Sequence, residues 1–110
     1  MAKGDRAALL QGTLDLLILK ALSAGELHGL GVSRRVEQIT GGTFQVQAGS
    51  LFPALHRLEA DDLIAGEWAV VDGRRIKSYS LTAAGRRQLT AETKEWERIA
   101  AAIAQVLRTT

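Results

Sequence analysis

Apolar residues run along the chain in two rhythms, every three to four positions or every second one, and the rhythms change in a definite order. Residues 9 to 23, with TLDLLILKAL at the centre, predict a first helix. Leu10, Leu14, Leu17 and Ala21 share one of its faces, and Leu9, Leu16 and Leu19 fall on the opposite side. A surface helix of a small monomer needs one apolar stripe, so the second stripe needs its own cover. Two readings stay open: a central helix wrapped by its own domain, or a subunit contact. Gly25 breaks this helix, and Leu30, Val32, Val36 and Ile39 predict a second one, ended by Gly41-Gly42. TFQVQ, residues 43 to 47, reads as a short β-like run.

In GSLFPALHRLEADDLI, residues 49 to 64, Leu51, Ala54, Leu55 and Leu58 keep helical spacing although Pro53 lies among them. A proline inside a helix removes a hydrogen bond, but in the first turn it breaks none. Ser50 as N-cap places Pro53 in that first turn, and this is the start the sequence predicts.

Two alternating runs, LIAGEWAVV and RRIKSYSL, flank Asp72-Gly73, a strong two-residue hairpin signal. With those two residues as the loop, Ile64 pairs with Leu81, Gly66 with Tyr79 and Trp68 with Lys77. Ile64, Trp68, Tyr79 and Leu81 then share a face that can sit on the helices. Thr82 is a natural N-cap for the last helix. Along it Leu89, Trp96 and Ile103 recur every seven residues, beside a second row of Ile99/Ala100 and Val106/Leu107. A seam of that length has little domain left to cover it. The pattern predicts a homodimer contact through Leu89, Trp96, Ile99, Ile103, Val106 and Leu107, completed by Leu9, Leu16 and Leu19 of the first helix.

The order is helix, helix, short strand, helix, hairpin, long helix. That is a mainly α chain with a small β-hairpin (α+β), a winged helix-turn-helix over residues 1–82. Residues 83–110 add a long C-terminal dimerisation helix, within one continuous compact unit. In such a fold the third helix enters the major groove of DNA.

Composition narrows the function without deciding it. The chain has 110 residues and a 46% hydrophobic fraction, enough for one compact domain. Its 14 Lys+Arg exceed 12 Asp+Glu by only two, so clustering of the basic residues has to carry any nucleic-acid argument. It has no cysteine, which removes disulfides and thiolate metal sites. The N-terminal apolar run is broken by Asp15 and Lys20, and lacks a small-residue cleavage site, so a cytoplasmic chain without a membrane span is expected. His28 and His56 are the only histidines, and no acid–base pair has motif-like spacing. GELHGLG lacks the Lys-Ser/Thr of a phosphate loop. Neither an enzyme nor a metal or cofactor site is expected.

The candidate DNA contacts lie on the third helix and the hairpin tip. Gly49 and Ser50 suit a phosphate met by backbone N–H groups and a hydroxyl. Phe52 and Pro53 offer apolar contact, and His56 or Arg57 a base edge or a phosphate. Phe52 reads equally as a core aromatic, and Arg57 as the partner of Asp61 one turn on. Arg74, Arg75 and Lys77 suit the minor groove or flanking phosphates, though any soluble hairpin carries charge at its tip. A winged-helix module that binds protein remains the rival; it has no need of these cations beside a glycine-rich helix start.

LLQGTLDLLILKALSAGELHGLGVSRRVEQI, GSLFPALHRLEADDLI and YSLTAAGRRQL together resemble the PadR family of bacterial transcriptional regulators, in particular its short members. The resemblance runs from about Leu9 to Leu107 with the motifs in family order. It implies a homodimer built through the C-terminal and first helices, repressing from an inverted repeat in double-stranded DNA, often of the ATGT…ACAT type. It also implies that a small aromatic effector can lie between protomers, stacked on Trp96; in a seam, a tryptophan also serves simply to pack. The family usually has tyrosine at the positions of Leu30 and Phe52, and many relatives have it at Ser78.

Overall fold

The computed structural model describes the backbone of residues 3–109 and the side chains of residues 12–109. The chain runs α1 (Lys3–Leu22), β1 (Leu27–His28), α2 (Gly29–Ile39), α3 (Ala48–Ala60), β2 (Ile64–Val71), β3 (Arg74–Leu81) and α4 (Ala83–Arg108). The predicted α+β winged helix-turn-helix with a long last helix is what it folds into.

The core decides between the two readings of α1. Ile18, Leu19, Ala21 and Leu22 are all buried, against Val32 and Val36 of α2, Leu51, Ala54, Leu55 and Leu58 of α3, and Ile64 and Tyr79 of the wing. The C-terminal half of α1 is therefore the central helix of its own domain. Leu19, expected on a face free for a second subunit, is fully enclosed and drops out of that face. Leu16 is half-buried, and Leu9 lies outside the residues whose side chains are described.

The wing forms in the expected register, Ile64 opposite Leu81, Gly66 opposite Tyr79 and Trp68 opposite Lys77. Its turn residues Asp72 and Gly73 both have positive φ, 51° and 76°, the combination a type I′ hairpin requires. Two expectations for the strands change. β1 adds a third strand on the far edge of β3, pairing Leu27 with Tyr79. Residues 43–47 form no strand; the segment is held as irregular backbone, with the Ser33 hydroxyl donating to the Val46 carbonyl at 2.9 Å.

α2 and α3 end alike. Gly42 N–H reaches the Glu37 carbonyl (2.8 Å) behind Gly41 at φ 57°, and Leu63 N–H reaches Leu58 (3.0 Å) behind Asp62 at φ 59°. Both are left-handed C-terminal caps, built on Gly in one case and on Asp in the other. The start of α4 is capped as expected, Thr82 Oγ1 accepting from Gly85 N–H at 3.0 Å. The same hydroxyl donates to the Asp62 carbonyl at 2.6 Å, and Thr82 N–H donates to Leu63.

Gly85 is buried, and a Cβ on it would run into the Leu63 carbonyl oxygen and come within 3.0 Å of a Leu81 methyl. Gly85→Ala is therefore expected to destabilise the chain by about 1–3 kcal/mol or more, because the atom in the way is backbone and cannot rotate aside. Urea unfolding measures this. Gly49→Ala is the control: its Cβ meets nothing within 4 Å inside a helix, so that change raises stability by about 0.5–1 kcal/mol.

Candidate nucleic-acid interface

α3 separates its residues cleanly. Leu51, Ala54, Leu55 and Leu58 point into the core, while Gly49, Ser50, Phe52, Pro53, His56 and Ala60 are exposed. The helix starts earlier than the sequence suggested. Gln47 is its N-cap and uses no side-chain bond, while Ser50 and Leu51 N–H both reach the Gln47 carbonyl at 3.0 and 2.9 Å. Ser50 is thus the third helical residue, not the cap, and Pro53 the sixth. The proline deprives the Gly49 carbonyl of its usual donor, but it does so on the exposed side, where water or a ligand can substitute.

Phe52 combines its two readings. Its ring edge lies 2.9 Å from where a Cβ on Gly29 would be, so a side chain there would push the ring aside, yet 36% of the residue remains exposed. Arg57 does not pair with Asp61. Its guanidinium binds the Asp15 carboxylate of α1 at 2.5 Å, tying α3 to the central helix.

At the wing, Arg74 and Arg75 are exposed near the tip. The Arg75 guanidinium lies 4.6 Å from the centroid of the Trp68 ring, a cation–π contact. Trp68 itself departs from the expectation that it sits on the helices, being 56% exposed. The alternation gives its face correctly, but the hairpin runs on past the helices, so on that face Ile64 and Tyr79 are buried and Leu81 is partly covered, while Trp68 is not. Trp68 is a candidate contact that the sequence reading missed. Lys77 is largely enclosed and bound to Glu59 at 2.7 Å, so it does not stand free with the two arginines.

A groove of about 530 Å³ lies between α1, residues 44–47 and α3, walled by Leu14, Leu17, Phe44, Val46, Pro53 and Arg57 among others. Trp96, the residue considered for an effector, is not in it. It lies on the projecting part of α4 with Ile99, Ile103, Val106 and Leu107, all exposed in the single chain; Leu89 alone of that row packs on the core.

The profile of the Transcriptional regulator PadR-like family matches residues 18–91, from the buried half of α1 through the wing into α4. The chain belongs to this family. The transcriptional regulator Rv3488 of Mycobacterium tuberculosis is 38% identical over 90 residues, covering 82% of this chain and 81% of that one. A PadR-like transcriptional regulator from Bacillus cereus is 29% identical, with a TM-score of 0.79 over 94% of this chain and 99% of that one. Bacillus subtilis PadR, solved in complex with operator DNA, has a TM-score of 0.68 over 74% of this chain and 46% of that one; at 23% identity it speaks for the fold.

In this PadR-like chain two groups at the base of the wing have raised proton affinity. The hydrogen bond that Lys77 donates to Glu59 holds its ammonium above its ordinary 10.5, and burial pushes the Tyr79 phenol above its ordinary 10.0. Both groups hold their protons more tightly folded than unfolded, so their contribution is intact below pH 10 and is lost as pH rises further. Unfolding free energy followed by urea titration is expected to fall above about pH 10. Tyr79→Phe is expected to make that decline shallower.

Proposed function

We propose that the chain is a homodimeric repressor. Each protomer lays the exposed face of α3 in the major groove and rests its wing on the flanking backbone or minor groove of an inverted repeat. The observation that carries this reading is the division of α3: one face is wholly core, and the other offers solvent a row of small and polar residues at its N-terminal end. Gly49 and Ser50 suit close phosphate approach, Phe52, Pro53 and His56 suit base edges, and Arg74 and Arg75 suit phosphates or the minor groove.

The dimer reading is supported by α4. This helix of 26 residues extends well past the core, in a chain 60 Å long and about 27 Å across. Its row of Trp96, Ile99, Ile103, Val106 and Leu107 is uncovered, with Val106 71% and Leu107 79% exposed. A contiguous apolar row at heptad spacing is favourable in water only if a second surface removes it from solvent. A planar aromatic molecule entering that seam beside Trp96 would shift the spacing of the two α3 helices and relieve repression. Among the described residues no helix is long and apolar enough to cross a membrane, which is compatible with work on DNA in the cytoplasm.

The direct experiment is a binding titration against DNA from upstream of the chain's own gene, beside a scrambled duplex, at two salt concentrations. Specific, salt-sensitive binding is expected; equal weak binding to both duplexes would favour a protein-binding module. Arg74→Ala with Arg75→Ala is expected to weaken binding to every duplex and to lower the log–log salt slope by up to about two. An unchanged slope would take the wing tip off the DNA. Ile103→Asp is expected to move sedimentation from dimer to monomer, and an unaltered dimer would place the subunit contact elsewhere.

A further inference from the structure

Lys77 belongs by position with the wing arginines, but its surroundings give it a different task. Its Nζ donates to Glu59 Oε1 at 2.7 Å, and the two side chains are only 20% and 32% exposed. The same ammonium lies 5.3 Å from the centre of the Tyr79 ring and 5.7 Å from that of Trp68. Across the ladder stands Gly66, where a Cβ would collide with the Lys77 side chain and come within 2.8 Å of Glu59 Oε2. A glycine leaves the room, two aromatic rings frame the cation, and the carboxylate comes from the last turn of α3.

We propose that Lys77 and Glu59 are a positioning pair that fixes the angle of the wing against α3, and that Lys77 makes no phosphate contact of its own. The inference rests on the reading that α3 and the wing engage DNA together. A two-stranded ribbon has little stiffness by itself. Beyond Gly66 this hairpin has no helix beneath it, and its tip lies about 23 Å from Leu81 at strand spacing. A tilt of about ten degrees at the base would then move Arg74 and Arg75 by about 4 Å, enough to lose a phosphate contact. The bond from Lys77 to Glu59 is a side-chain link, partway up the hairpin, between the wing and the helix that must be read in register with it.

The two roles predict opposite signs for Glu59. If Lys77 touched phosphate, Glu59 would be a repulsive carboxylate beside DNA, and removing it would tighten binding. If the pair is a brace, removing either member weakens binding alike. The experiment titrates the full-length chain and its variants Lys77→Met, Glu59→Gln, the double variant, and the swap Lys77→Glu with Glu59→Lys against the upstream duplex over a salt series. Amide hydrogen exchange of β2 and β3 is measured on each free protein.

The expected result is a loss of about tenfold in affinity for each single variant, with the salt slope unchanged. The double variant is no worse than either single one, the swap recovers most of the loss, and wing exchange rises in the singles while the core helices stay protected. A slope lowered by about one in Lys77→Met, with tighter binding by Glu59→Gln, would overturn the proposal. So would affinity and wing exchange that neither single variant alters. Should the unsubstituted chain bind no DNA specifically, the repressor reading fails on its own, and the exchange measurement still decides whether the pair braces the wing.

Discussion

The Leu63 carbonyl accepts the Thr82 N–H while the bare Cα of Gly85 presses against it, and the Thr82 hydroxyl joins the Asp62 carbonyl to the Gly85 amide. The end of α3, the base of the wing and the first turn of α4 are thereby fastened within a few residues of one another. Each carries a different part of the proposed activity: groove contact, flanking contact and dimerisation. Because the junction uses backbone atoms and one hydroxyl, it tolerates little substitution, and a glycine at position 85 is a steric necessity. In the proposed dimer, this junction would carry a change in how two α4 helices meet into a change in where α3 points.

Charge plays a second, more local part. With a net charge of only +2, the chain cannot attract DNA by bulk field, so the placement of individual cations matters. Two cations on or beside α3 are already occupied by carboxylates of the same chain, Arg57 by Asp15 and Lys77 by Glu59. These pairs orient α3 against the central helix on one side and the wing on the other. In the proposed complex, phosphate is met by the arginines left exposed at the wing tip and by the N-terminal face of α3.

Much of this was legible in the sequence, for physical reasons that differ by element. The hairpin register could be read because Asp72-Gly73 accepts two consecutive positive φ values and so fixes which residues face each other. Thr82 could be read as a cap because a hydroxyl three residues ahead of a glycine amide is a local interaction. The faces of α3 followed from spacing alone. Contacts between residues distant in sequence could not be read. Asp15 meets Arg57 across 42 positions and Glu59 meets Lys77 across 18, so a search one turn along the helix offered Asp61 instead. Leu19 looked surplus because a single wheel does not show how completely α2, α3 and the wing surround α1. Trp68 looked buried because alternation gives the face of a residue but not where the supporting helix ends. The two-residue strand β1 is too short to leave any periodicity.

In the proposed assembly, two copies of this fold, joined through α4, present two α3 helices to one side of a DNA duplex. Hydroxyl-radical footprinting on the upstream DNA tests it most directly. Two protected patches are expected on each strand, related by a dyad and centred roughly 34 Å, one helical turn, apart. A single protected patch, or protection spread evenly along the duplex, would contradict it.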